Sequence, residues 1–148
     1  MPATNLFRKI LITADGSEYS IRAADAAFAL AASCGAELHA LAVIDSGILA
    51  DYRDRPAKER QRVERDLKIT AEHHLGYIVE LANQRGLEVM LHIRTGRPNI
   101  EIINLAREAE IELIVIGKHG RQSVGRILRR DVAERVFEDA DCSVLIVV

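Results

Sequence analysis

Short apolar runs at residues 8–14, 37–44, 88–94, 112–117 and 143–148 punctuate the chain, and longer amphipathic stretches separate them. Runs of this length read as strands. The fourth, Glu112 to Ile116, is almost wholly aliphatic, the pattern of a strand buried on both faces of a parallel sheet. Between the first two runs, Ser17 can cap a helix whose Ala23, Ala24, Ala27 and Ala31, with Phe28 and Leu30, would lie close on a sheet before Gly35 stops it. A long charged helix is expected from near Pro56 to Gly86. Pro98 suits the first turn of a third helix, with Ile100, Ile103 and Ala106 on its apolar stripe and Glu101, Asn104 and Arg107 facing outward.

Regular alternation of strands and helices predicts an α/β fold: one doubly wound, five-stranded parallel sheet with right-handed crossovers and helices on both faces. Residue polarity suggests the strand order. The third strand carries Val89, Leu91 and Ile93 on one face but Met90, His92 and Arg94 on the other, which suits an edge. The first, through Ile10-Leu11-Ile12, and the fourth are apolar on both faces and therefore central. The expected order is 3-2-1-4-5. In such a sheet a ligand sits outside the carboxyl ends of the strands where the winding reverses, which would bring Asp15 and Gly117 together. Val144 to Val148 is apolar throughout, and an exposed edge of that kind invites association. A two-fold homodimer pairing residues 143–148 with their copy would cover it.

At 148 residues and 49% hydrophobic content, the chain suits a single domain over 1–148. A formal charge of −2 gives no electrostatic reason to expect nucleic acid. Cys34 and Cys142 lie far apart without metal-binding spacing, which argues for a reducing compartment. No signal-peptide pattern is seen in residues 1–9, and no run approaches the roughly 20 apolar residues that cross a bilayer. The expectation is a cytoplasmic protein with no membrane association.

Candidate chemistry concentrates after the fourth strand. In Val115-Ile116-Gly117-Lys118-His119-Gly120, two glycines follow an apolar strand, so the backbone can take positive φ and amide N–H groups can converge on an anion. The alternative is a plain tight turn. Arg121, Arg126, Arg129 and Arg130 crowd the following segment, as a phosphate-attracting cluster or as a solvated loop. Asp15, before Gly16, is either a ligand contact or an ordinary turn residue. His73 and His74 point about 100° apart on a helix and read as surface residues. His39 and His92 fall on strands with no third and fourth metal donor in view. Residues 51–65 mix both charges and read as a solvated loop and helix start, or as a lid over the site.

Several motifs, in order, resemble one family. Ile10-Leu11-Ile12-Thr13-Ala14-Asp15-Gly16-Ser17-Glu18 is similar to the first strand and turn of the universal stress proteins, and Ala42-Val43-Ile44-Asp45 to the end of their second strand. Gly96-Arg97-Pro98, Gly117-Lys118-His119-Gly120 and Cys142-Ser143-Val144-Leu145-Ile146-Val147 resemble the third crossover turn, the start of the nucleotide loop and the last strand. The resemblance covers the whole chain. It implies an adenine nucleotide alpha hydrolase-like fold, a homodimer and a stress-response binding module for ATP or AMP, with Mg²⁺ accompanying the nucleotide. It also implies that Asp15, with Thr13 and Ala14, contacts the ribose or adenine, and that backbone near Val43 reads the base edge. The phosphates would meet Gly117, Lys118, His119, Gly120, Arg121, Arg130, Asp131 and Val132.

One departure bears on function. ATP-binding members carry glycine, two residues, glycine, nine residues, then glycine and a hydroxyl residue; here the last pair is Arg130-Asp131. Asp131, with Glu134 three residues on, reads as a capping box that fills the phosphate's seat with a carboxylate. If the lost glycine had positive φ, Arg130 would cost about 1–2 kcal/mol there. Carboxylate–phosphate repulsion would add about 1–4 kcal/mol, which Arg129 and Arg130 would offset. The expected consequence is a weakened triphosphate site beside a better preserved adenosine site. The competing reading is a dimer that binds no nucleotide and acts as a protein-interaction scaffold. A slow ATP hydrolase is least supported: Asp15 and His119 are its only candidates, with no second carboxylate at a recognisable spacing.

Overall fold

A computed structural model describes residues 6–120 and 132–148. Its elements run β1 (Lys9–Thr13), α1 (Glu18–Cys34), β2 (Glu37–Asp45), α2 (Ser46–Ala50), α3 (Ala57–Asn83), β3 (Val89–Gly96), α4 (Pro98–Glu108), β4 (Leu113–Gly117), α5 (Val132–Asp139) and β5 (Ser143–Val147). The strands form one sheet in the order β3-β2-β1-β4-β5, with every neighbouring pair parallel. Strand polarity explains this order. Ile10, Leu11 and Ile12 in β1 and Ile114 and Val115 in β4 are fully buried, whereas β3 and β5 take the edges.

Two apolar layers flank the sheet. Ile10, Ile12, Leu38, Ala40 and Leu113 face α1 and α3; Leu11, Leu41, Ile114 and Ile116 face α4 and α5. The alanines of α1 let its axis approach the sheet closely, and Phe28, fully buried, fills the space they leave. Burying that ring contributes about 2–3 kcal/mol. Ser17 caps α1 by accepting from Ser20 N, worth about 1 kcal/mol. Gly35 ends the helix at φ 68°, and both its N–H and that of Ala36 return to the Ala31 carbonyl.

The inner stripe of α4 differs from the expected one. Ile102, Ile103, Leu105 and Ala106 are buried, whereas Ile100, in the first turn, is 41% exposed. A short helix, α2, also follows β2 directly; the Asp45 carboxylate caps it by accepting from Gly47 N at 2.8 Å.

At the β2–β3 edge, His39 Nδ1 and His92 Nε2 lie 2.9 Å apart, with ring planes 14° from parallel and centroids 5.2 Å apart. That centroid separation is the hydrogen bond plus a ring radius at each end, so the imidazoles meet end to end rather than face to face. His39 Nε2 approaches Glu37 Oε2 to 3.3 Å in a geometry that makes no hydrogen bond. Burial, then the neighbouring His39 and Arg94, push the His92 imidazole below its ordinary pKa. Among the described residues no three His, Cys, Asp or Glu side chains are grouped to hold a metal, and no helix is long and apolar enough to cross a membrane.

Candidate functional site

Where the winding reverses, between β1 and β4, the carboxyl ends of the strands open into a cavity of about 400 Å³. Three chain segments make its floor. The end of β1 contributes Thr13, Ala14 and Asp15; the end of β2 contributes Leu41 to Asp45; β4 and its turn contribute Ile116, Gly117, His119 and Gly120. Val132 and Ala133 of α5 and Pro98 and Ile102 of α4 close one side. Ile48 of α2 and Leu67, Thr70, Ala71 and His74 of α3 close the other.

Local chemistry shapes the β1–α1 turn. Ala14 N still donates to Leu41 O at 2.8 Å, holding the turn in the sheet's frame. Asp15 Oδ1 accepts from Ser17 N at 2.9 Å and from Ser17 Oγ at 2.6 Å, an Asx turn that leads into α1. Gly16 between them sits at φ 79°, in the left-handed region that favours glycine. The His74 ring lies directly over it, where a methyl group on Gly16 would collide with Nε2.

The two glycines after β4 work differently from the sequence expectation. Neither Gly117 nor Gly120 has positive φ. They are needed for space: a methyl group at Gly117 would lie 2.6 Å from Tyr19 Cβ and 2.7 Å from the Tyr19 carbonyl carbon, and one at Gly120 would lie 2.8 Å from Asp15 Oδ2. The second contact brings the acidic turn and the paired-glycine turn to one mouth, as the winding rule requires. His119 packs edge-on against Tyr19, centroids 5.3 Å apart, and the Arg22 guanidinium lies 5.4 Å from the centroid of the same ring.

Of the residues singled out from sequence, Thr13, Ala14, Asp15, Val43, Gly117, His119, Gly120 and Val132 line the cavity. Lys118 does not; its backbone N–H pairs with Val147 O at 2.8 Å and its side chain is exposed. Arg121, Arg126, Arg129, Arg130 and Asp131, and with them the Asp131–Glu134 capping box, lie outside the described residues. His74 corrects the surface reading of the His73-His74 pair: His73 is exposed, but His74 is half-buried and faces the cavity. It lies three residues beyond Ala71 and four beyond Thr70 on one helix stripe, so helical spacing alone could have found it.

The described lining is mainly aliphatic, with carboxylates at Asp15 and Asp45 and imidazoles at His74 and His119, and includes no lysine or arginine. Such a surface offers an apolar slot for a flat ring and acceptors for hydroxyl or amino donors. Its volume falls within the range of about 300–1,000 Å³ common for small-ligand pockets.

The sheet order and the cleft at its reversal point define a doubly wound α/β protein. The chain belongs to the universal stress protein family, whose model matches residues 6–148. A universal stress protein of Methanocaldococcus jannaschii is 33% identical over 144 residues, covering 97% of this chain and 83% of that protein. The fold is shared with the universal stress protein UspA from Lactobacillus plantarum, TM-score 0.78 at 24% identity, over 99% of this chain and 100% of that one. A universal stress protein solved in complex with cAMP has a TM-score of 0.66 and 25% identity, over 96% of this chain and 97% of that chain.

Proposed function

We propose that this chain is a cytoplasmic stress-response module that binds an adenine nucleotide in the β1/β4 cleft as a signal and does not turn it over. The observation that carries this reading is the meeting of the Asp15 turn with the Gly117–Gly120 turn around an apolar cavity of about 400 Å³. The cAMP complex of a related protein supports it. Asp15 accepts a hydrogen bond from the ribose or the adenine amine, with Thr13 and Ala14 beside it, and the backbone at Val43 reads the base edge. The phosphates extend past Gly117, His119 and Gly120, and Lys118, Arg121, Arg130, Asp131 and Val132 are the further phosphate contacts that the family resemblance implies. A Mg²⁺ ion, where a triphosphate binds, comes with the phosphate oxygens. Because Arg130-Asp131 replaces the glycine and hydroxyl pair, AMP-like ligands are favoured over ATP.

The same substitution favours one competing reading, a stress-protein dimer that binds no nucleotide and serves as an interaction scaffold. Calorimetry with adenosine, AMP, cAMP, ADP and ATP separates the two. The binding reading predicts saturable heats for adenosine and AMP and weaker ones for ATP. An Arg130→Gly/Asp131→Ser variant should then gain ATP affinity. Absence of heat and of any thermal shift at millimolar concentration of all five ligands leaves the scaffold.

Either reading includes a homodimer through β5. Leu145 on this edge strand is 38% exposed and Val148, the residue after it, is 72% exposed, and pairing with a second copy would cover both. Light scattering should return twice the 16.4 kDa protomer mass at micromolar concentration; a protomer mass that does not change with concentration would remove the dimer.

A further inference from the structure

Two imidazoles meet at the β2–β3 edge of the sheet, in the amino-terminal half of β2 and away from the cleft. His39 is 5% exposed. Its Nδ1 lies 2.9 Å from His92 Nε2, while its Nε2, enclosed and without a hydrogen bond, lies 3.3 Å from Glu37 Oε2. Met90 is the register partner of His39, so His92 reaches it diagonally across the strand pair. A hydrogen bond between two ring nitrogens holds a single proton, with one ring donating and the other accepting. Two neutral rings meet this condition, and so does one imidazolium beside a neutral ring. Two imidazoliums do not, because each points a proton at the other.

The surrounding charges decide how this row takes up protons. Glu37 favours a proton on His39 Nε2, so in the neutral pair His39 Nδ1 accepts and His92 Nε2 donates. On β3, Arg94 follows His92 by two residues and shares its face of the strand. On α4, Glu108 bonds Arg94, and Glu101 attracts it as well. On β1, Lys9 stands in register with Glu37 and gives its ammonium to the Ala109 carbonyl. Burial, then His39 and then Arg94, keep His92 below its ordinary value of 6.5. The unfolded chain therefore takes up a proton here before the folded one does, so the pair holds fully above about pH 6.5 and yields as pH falls below it. We propose that His39 and His92 are an acid-sensitive fastener for the edge strand: one proton between the rings ties β3 to β2, and a proton on every ring nitrogen releases it. Because β3 has β2 on one side only, release frees the edge of the sheet and leaves the central strands in place.

Hydrogen exchange of the β3 amides, read residue by residue, tests this. Between about pH 7.5 and about pH 5.5, after correction for the intrinsic pH dependence of exchange, opening of β3 should rise by up to about tenfold per pH unit, the slope of one proton. Amides of β1 and β4 should not follow. The Arg94–Glu108 pair stays intact over this range, because its hydrogen bond holds the Glu108 carboxyl below its ordinary value of 4.5. His92→Gln keeps an amide donor for His39 Nδ1 but takes up no proton, so its β3 should open equally at both pH values. The same acid response in His92→Gln, or no response in the wild type, overturns the proposal. A second readout uses the wild type alone. A nitrogen–nitrogen scalar coupling across the bond from His39 Nδ1 to His92 Nε2 should be present at about pH 7.5 and vanish as the ring nitrogen shifts report a second imidazolium. Absence of the coupling at the higher pH overturns the proposal, as does full protection of β3 once both rings are imidazolium.

Discussion

Replacing Gly117 by alanine should lower the unfolding free energy by about 2–3 kcal/mol, the cost of overpacking a filled interior. The argument rests on which atoms an added methyl would meet. They are Cβ, the carbonyl carbon and the carbonyl oxygen of Tyr19, in the first turn of α1. Two of the three are backbone and cannot swing aside. Relief therefore requires α1 to lift from β4, but α1 is held by Phe28 and four alanines against the same sheet. Of a total stability of about 5–15 kcal/mol, this is a large share. Gly76, within α3 and with open space around it, is the matched control: alanine there should stabilise by about 0.5–1 kcal/mol. Urea unfolding of both variants measures the contrast. A loss below about 0.5 kcal/mol in Gly117→Ala would mean that α1 does not cross β4 this closely.

A second large effect is expected at Gly16. Alanine at φ 79° costs about 1–2 kcal/mol. Here the atoms in the way are Nε2, Cδ2 and Cε1 of His74, the far end of a side chain that can rotate. Turning the ring out of its well adds about 0.5–1.5 kcal/mol. In the Gly16→Ala/His74→Ala double variant the ring is gone and only the backbone cost remains, so the two changes should be non-additive by about 1 kcal/mol. Strict additivity would show that α3 does not rest on the β1–α1 turn. The displaced ring should also disturb the cleft, so Gly16→Ala is expected to weaken adenosine binding more than its stability loss explains.

These two glycines also mark where the sequence was and was not legible. Strand positions follow from local apolar runs, and the boundaries of α1 follow from Ser17 and Gly35, because caps act through neighbours in the chain. Strand order followed from which strands are apolar on both faces. The meeting of Asp15 with the β4 turn followed from that order through the winding rule. Gly117 was different. Its position in a turn suggested left-handed backbone, but its need for glycine comes from Tyr19, nearly a hundred residues earlier, and no local pattern encodes that crossing. Ile100, Ile102 and Ile103 present two plausible stripes on α4, and packing against the sheet and α5, which no local pattern encodes, buries Ile102 and leaves Ile100 exposed. His74 was legible in spacing, but the His73-His74 pair was weighed only as a metal pair whose rings point about 100° apart, and so was read as surface. The residues of the cleft were named chiefly through family resemblance, and the structure supplies the physical reasons for several of them: Asp15 locked by Ser17, Gly16 under His74, and Gly120 against the carboxylate.

Backbone amide shift mapping during an adenosine or AMP titration tests most directly whether the acidic turn and the paired glycines form one nucleotide cleft. The account predicts saturable shifts concentrated at residues 13–17, 42–45, 70–74 and 116–120, with the outer surface of β3 and the last turn of α3, residues 79–83, unmoved. Saturable binding whose shifts lie elsewhere, or no shifts at millimolar nucleotide, would contradict it.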